Sequence, residues 1–508
     1  MTAQAIERWR LYLDAAALPR WATAGALGLL CVLSVWLRTH VIGAGFWIDE
    51  GISVGIAHHP LTTIPHLLRQ DGSPPLYYLL LHVWIGLFGD GERATHAFSL
   101  VPAIACIPLG YWAASAFGRT AAWAAAALAA LNPYLTYYGQ ETRMYALAAC
   151  FSVIAAGAYV RAVPLGRRAY LPLLVVSLVL LLYTHNWGLF FCAGLAVATV
   201  VFARGRLREA AVAGAVTLAL YLPWVPTLLY QVHHTGAPWA RRPGVHALVL
   251  APGSLFGGDI ACGALAAAVA LGLSRRRPNT VALALLLAAG TTIVLAWVAS
   301  QASPSWTSRY FGVLLGPLLL AAGAGLARSG KLGIGAIALA VFLWTGYSFS
   351  LRDEKSNVRA VAHRASAYLR PNDVVLSTHP EQIPVLRYYL GPRYRYATEL
   401  GVVADARVFD WRDVVKRYRP VTVARNLEPL LATVHPGSHV VVVSPVFRDF
   451  RAWQAPWTRQ VYLESRIWTR ALAADPRFRP VATITSDEIL LERNFFKPLQ
   501  AVVYLRRR

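Results

Sequence analysis

Pro74-Pro75-Leu76-Tyr77-Tyr78-Leu79-Leu80-Leu81-His82-Val83-Trp84-Ile85-Gly86-Leu87-Phe88 is apolar enough to pass for a membrane helix, and its reading decides how every later segment is threaded. A helix that crosses the ~30 Å hydrocarbon core needs about 20 apolar residues, and this run offers fewer. Counting it as a full span inverts all later loops and breaks the rule that keeps short Lys- and Arg-rich loops in the cytoplasm. It therefore reads as an interfacial helix lying flat on the outer surface.

The chain around it has 508 residues, 56% hydrophobic and only 14% charged, with a mean hydropathy of +0.45. That composition lies outside the range of soluble domains and marks an integral membrane protein. The first apolar run, 21–37, follows Arg8, Arg10 and Arg20 but no small-residue cleavage pattern follows it, so it reads as a retained anchor. Ten further runs sit at 94–117, 121–138, 144–160, 171–183, 188–203, 210–226, 260–273, 281–300, 310–327 and 332–350, giving an expectation of about eleven spans.

Arg119 and the basic tracts 161–168, 204–208, 275–277 and 328–331 fall on alternate connections, on the same side as the basic N-terminus. That side is the cytoplasm. The formal charge of +23, from 48 Lys+Arg against 25 Asp+Glu, is explained by this placement and by a basic tail that could lean on anionic lipid headgroups, with no nucleic-acid partner. Cys31, Cys106, Cys150, Cys192 and Cys262 all lie in apolar runs without C-x-x-C spacing, so they read as core hydrophobes.

From residue 351 the composition turns mixed and charged. β-like runs at 373–377 and 439–444 alternate with a helical pattern at 357–369, with turn signals at Gly391-Pro392 and His435-Pro436-Gly437. The expected architecture is a polytopic α-helical membrane domain, 1–350, followed by an α/β domain, 351–508, which an odd number of spans places outside the cytoplasm. No internal repeat is visible.

The outer connections gather the side chains with chemical potential. The first holds Phe46-Trp47-Ile48-Asp49-Glu50-Gly51, and an acidic pair at the mouth of a membrane helix is a functional-site candidate because it is costly to keep near lipid. The pair reads equally as an N-terminal cap of the helix that follows. Further on stand Asp71-Gly72-Ser73-Pro74-Pro75-Leu76-Tyr77-Tyr78, a glycine-ended helix at Phe88-Gly89, and Arg93 opening the next span. This order resembles the start of GT-C class membrane glycosyltransferases, specifically family 39, which holds the protein O-mannosyltransferases and the bacterial lipid A aminoarabinose transferases.

The resemblance covers about the first two-thirds of the chain. It implies the GT-C fold and inverting transfer of a sugar, mannose first, from a polyprenyl phosphate donor to a hydroxyl on a lipid, glycan or protein acceptor outside the membrane. It makes Asp49 the general base that takes the acceptor proton, with Glu50 holding or sharing that duty. Glu141, Arg143 and Tyr145 in Tyr137-Tyr138-Gly139-Gln140-Glu141-Thr142-Arg143-Met144-Tyr145 match an acidic-Arg-x-Tyr element that would orient Asp49 or grip a phosphate; the same residues also fit an interfacial aromatic belt. His185, with Asn186, matches a histidine-aromatic element and reads equally as an interfacial polar group.

Arg309 and Tyr310, in Ser308-Arg309-Tyr310, open the tenth run from outside. A guanidinium there would neutralise the donor phosphate, with a plain membrane anchor as the alternative; Arg69, Arg241 and Arg242 are second choices. His58-His59 and His233-His234 leave a divalent metal open, although histidines adjacent in sequence rarely point together. A transporter or lipid flippase is the rival function, and it would place polar residues at mid-span where this chain has them at outer helix ends. A non-catalytic scaffold would not need Asp49, Glu50 and Glu141 on one face.

Overall fold

The computed structural model describes residues 19–274, 279–350, 355–447, 450–485 and 498–507. The helices of the first 350 residues are α1 (Arg20–Thr39), α2 (Ile48–Ala57), α3 (Ile64–Asp71), α4 (Leu76–Phe88), α5 (Glu92–Ala114), α6 (Arg119–Leu131), α7 (Pro133–Tyr138), α8 (Tyr145–Ala162), α9 (Leu171–Thr184), α10 (Gly188–Phe202), α11 (Leu207–Tyr221), α12 (Val225–His234), α13 (His246–Leu255), α14 (Asp259–Ser274), α15 (Thr280–Ala302), α16 (Leu315–Ser329) and α17 (Lys331–Ser350). Among the described residues, six helical stretches are long and apolar enough to cross a membrane, and α13 with α14, bent by 89°, makes a seventh if the pair is one span. The apolar runs read from the sequence fall on these stretches and on the shorter apolar helices α6, α9, α10 and α17.

The 13 residues of α4 reach only about 20 Å at 1.5 Å per residue. It buries Tyr77, Tyr78 and Leu81 and leaves Val83 and Leu87 exposed, as a helix covering one side of a bundle does. The connection that follows the apolar run 210–226 holds α12 and α13. Pro226, the last residue of that run, sits in the first turn of α12, where its missing N–H has no helical partner to lose.

Proline also explains a buried charge. Pro133 has no N–H to give the carbonyl four residues back, Ala129, and Arg38 fills the gap from α1: Nη2 donates to Ala129 O at 2.7 Å, Nη1 to Ala103 O at 3.0 Å and Nε to Thr136 Oγ1 at 3.4 Å. Arg38 is fully buried, and its guanidinium ties α1 to α5, α6 and α7.

The C-terminal region contains α18 (Val358–Ser366), β1 (Val374–Ser377), α19 (Ile383–Leu390), β2 (Arg395–Thr398), β3 (Gly401–Val402), α20 (Val414–Tyr418), α21 (Glu428–Ala432), β4 (His439–Pro445), α22 (Pro456–Ala474), β5 (Phe478–Ile484) and β6 (Leu499–Arg506). The strands form one sheet in the order β3-β2-β1-β4-β6-β5, parallel at β1 with β2 and β4 and antiparallel elsewhere. β1 and β4 were legible as continuous apolar runs because central parallel strands are buried on both faces. β5 is largely exposed and carried no such signal.

Helix α2 is built into this sheet unit. Phe46 and Val54 share a core with Val358, Val375, Val385 and Val441. A Cβ on Gly51 would come within 2.5 Å of Val385 Cβ, and one on Gly55 would collide with the Arg407 carbonyl, so α2 approaches the C-terminal unit as closely as backbone allows.

Candidate active site

Adjacent residues on a helix point about 100° apart, and the acidic pair divides its work accordingly. Glu50 turns inward and is fully buried. Its Oε1 accepts from Thr142 N (2.8 Å) and Lys355 Nζ (2.7 Å) and lies 2.7 Å from His96 Nε2; its Oε2 accepts from Trp47 N (3.3 Å), as the third residue of a capping box does. Burial works to raise this carboxyl, yet Lys355 and His96 hold it down at about 2.

A depressed carboxylate contributes stability above its unfolded value that is lost as pH falls through its folded value. The stability that Glu50 brings is therefore expected to fade between the ordinary glutamate value near 4.5 and about 2. In thermal unfolding, wild type should melt well above Glu50→Gln at pH 7, and the gap should narrow at pH 3. A gap that is the same at both pH values would rule out the Lys355–His96 pairing as its source.

Asp49 turns the other way. Its Oδ2 accepts from Arg309 Nη1 at 2.8 Å, its carboxylate is 17% exposed, and its Oδ1 accepts no hydrogen bond among the described residues. Arg143 supports it from beneath: Nη1 donates to Ser53 Oγ and Tyr78 Oη, both at 3.1 Å, and approaches Asp49 O at 3.5 Å. Tyr78 in turn donates to Asp71 Oδ2 at 3.1 Å, and burial pushes Asp71 above the usual aspartate range.

Glu141 accepts from Trp47 Nε1 at 2.8 Å, and burial raises its carboxyl to about 7 against the pull of Lys355. His185 is lowered to about 3 by burial and by Arg143 and Arg309, so it is neutral at physiological pH. Trp187 N donates to its Nδ1 at 3.1 Å, which leaves the ring proton on Nε2. The His185 ring lies 4.7 Å from Tyr310 and 6.2 Å from Tyr145. The Arg309 guanidinium sits 4.4 Å from the Trp239 ring centre and 5.6 Å from that of Trp47.

Around this centre, buried polar atoms have no hydrogen-bond partner among the described residues: Arg309 Nε, Arg143 Nε, Tyr145 Oη, Glu141 Oε2 and Asn186 Oδ1. Native folds rarely leave such groups unpaired unless a ligand or solvent completes them. Beside them opens a cavity of about 690 Å³ whose wall includes Tyr134, Tyr137, Tyr138, Ser308 and the Gly257-Gly258 break between α13 and α14. Irregular backbone at membrane depth is tolerated where it lines a cavity.

The structure thus brings together all eight residues singled out from the sequence: Asp49, Glu50, Glu141, Arg143, Tyr145, His185, Arg309 and Tyr310. It adds Trp47, Asp71, Tyr78, His96, Trp239 and Lys355. Of these Trp47, Asp71 and Tyr78 stood in motifs that had been quoted, and nothing in the sequence gave them a role. His58 and His59 part company, 3.1 Å from Asp90 and 2.6 Å from Asp405, and among the described residues no group of three His, Cys, Asp or Glu side chains is placed to hold a metal.

No protein-family profile matches the chain, and no curated protein matches it by sequence. Solved structures do match by shape. ArnT from Cupriavidus metallidurans in the apo state superposes with a TM-score of 0.63 at 16% identity, over 95% of this chain and 98% of that one. The same protein bound to undecaprenyl phosphate gives 0.63 at 14% identity, over 96% and 98%. This is the GT-C fold. The mycobacterial arabinofuranosyltransferase AftD matches at 0.56 and 14% identity over 97% of this chain, which spans 40% of AftD.

Proposed function

We propose that the protein is an inverting glycosyltransferase that moves a sugar from a polyprenyl phosphate carrier to a hydroxyl on the outer side of the cytoplasmic membrane. The observation that carries this reading is the pair of arginines, buried Arg143 and partly buried Arg309, that flank Asp49 with buried Nε donors open among the described residues. Two guanidiniums with unspent donors suit a phosphate, and a carboxylate with a free oxygen between them suits the proton of an attacking alcohol. The likeness in fold to a protein bound to undecaprenyl phosphate supports the choice of carrier.

In the reaction, the acceptor oxygen attacks the anomeric carbon while the bond from that carbon to the phosphate oxygen breaks. The acceptor proton passes to Asp49 Oδ1, and the polyprenyl phosphate leaves with its charge held by Arg309 and Arg143. Arg309 must then exchange its Asp49 partner for the phosphate, so donor binding unmasks the base. The 690 Å³ cavity next to Ser308 gives the carrier's first isoprene units a place beside the site. Residues 1–350 would form the catalytic membrane domain and 351–508 an extracytoplasmic unit. Mannose is the sugar to try first.

The experiment is transfer by the purified protein in lipid nanodiscs, supplied with radiolabelled mannosyl and pentosyl polyprenyl phosphates and with a cell-envelope extract as acceptor. The reading requires release of polyprenyl phosphate in step with label appearing on an acceptor. Donors that are neither bound nor consumed would overturn it.

A further inference from the structure

Lys355 stands outside every motif in the sequence, at the joint between α17 and the sheet unit, yet its ammonium reaches the underside of the acidic pair. It donates to Glu50 Oε1 at 2.7 Å and to Gln140 O at 2.5 Å, and lies 3.2 Å from His96 Nε2. The side chain is 11% exposed and Glu50 not at all. Lysines are seldom sunk this far unless paired, and a buried pair is worth most as a device that fixes one arrangement. Among the described residues none of its hydrogen bonds is to Arg143, Arg309 or the open atoms that await a substrate, although its charge also acts on Glu141.

We infer that Lys355 is a positioning residue for the transfer: by clamping Glu50 from the C-terminal side it fixes the first turn of α2, which presents Asp49, and so makes docking of the C-terminal unit a condition of catalysis. The other face of α2 carries the same arrangement. Gly51 and Gly55 lie against Val385 and the Arg407 carbonyl with no room for a methyl group, so the helix is gripped by the C-terminal unit on one side and by Lys355 at its start. Its third side holds Asp49 against Arg309. The sheet unit then has a mechanical role, which explains why its core takes in Phe46 and Val54 from the first outer loop. This role rests on the assignment of Asp49 as the base.

A misplacement of about 1 Å in a reacting group costs up to ~100-fold. Lys355→Met should therefore lower kcat by about 10- to 100-fold while donor KM stays within about 2-fold, because the donor's arginines are untouched. Lys355→Arg keeps the charge and should recover most of kcat despite its different fork geometry. In the Lys355→Met background, Glu50→Gln should add little, since partners that act as one unit are not additive. Amide hydrogen exchange across residues 48–57 should quicken by about 10-fold in Lys355→Met, in a protein whose other helices exchange as before.

Wild-type exchange in α2 together with wild-type kcat in Lys355→Met would overturn the inference. So would a fall in kcat that merely tracks lost folded protein and is not rescued by arginine. If wild type transferred no sugar from any donor tried, the proposed function would fail, and the exchange of 48–57 in Lys355→Met would still decide whether the clamp exists.

Discussion

Asp49→Asn is expected to lower sugar transfer by about 10²- to 10⁴-fold, the usual contribution of a general base, without loss of folding or of donor binding. Asparagine keeps the size of the side chain and can still accept from Arg309 through its amide oxygen, so the ion pair becomes a hydrogen bond from the guanidinium to a neutral amide and the site keeps its shape. What it loses is the oxygen that can take a proton. Glu50→Gln provides the contrast. Glu50 has its lone pairs engaged by Trp47, Thr142, His96 and Lys355, and no free oxygen faces the site. Its substitution should register first as a fall in melting temperature, and in transfer only through looser placement of Asp49. Near-normal transfer by Asp49→Asn in nanodiscs, at an unchanged melting temperature, would remove Asp49 from the chemistry.

That contrast marks where the sequence was legible and where it stopped. Asp49 and Glu50 could be singled out as a pair because acidic residues at a membrane helix mouth are costly, but the sequence left Glu50 to hold or share the duty given to Asp49. Which of them faces the substrate depends on His96 and Lys355, 46 and 305 residues away in the chain. No local pattern encodes such a meeting. Arg309 was readable as a cation at an outer helix end, but its partner Asp49 lies 260 residues earlier, and its aromatic surroundings include Trp239, to which the sequence attached no role. The helices α12 and α13 stand on either side of Trp239 in the chain, where no span was read from the sequence. In the sheet unit, β1 and β4 declared themselves as buried apolar runs, whereas β2 (Arg395–Thr398) mixes polar with apolar residues, β3 has only two residues and β5 is too exposed. The tight contact at Gly51 and Gly55, which makes the two regions one mechanical body at α2, is invisible without the fold.

Arg309 gives the second large effect, and its value lies in a difference of sign. In the structure, the guanidinium that should receive the donor phosphate is held by Asp49 at 2.8 Å, so donor and base compete for one cation. When a binding-competent form is only a fraction of the population, apparent affinity falls by that fraction. Arg309→Ala removes the cation and should cost about 10²- to 10³-fold in kcat, as removal of one preorganised donor to a developing negative charge does. It should also weaken binding of plain polyprenyl phosphate. Arg309→Lys should restore only part of both losses, because a point charge cannot make two parallel hydrogen bonds to phosphate oxygens. Asp49→Asn should move binding the opposite way: with the internal competitor neutralised, Arg309 is free more of the time, and polyprenyl phosphate should bind several-fold more tightly even as transfer collapses. Titration of nanodisc-embedded protein with undecaprenyl phosphate reads both arms. Weaker binding in both variants would mean that Asp49 holds Arg309 in place for the donor and does not compete for it. Unchanged binding in both would return Arg309 to the role of a membrane anchor and leave Arg143, with its open Nε, as the phosphate ligand to test next.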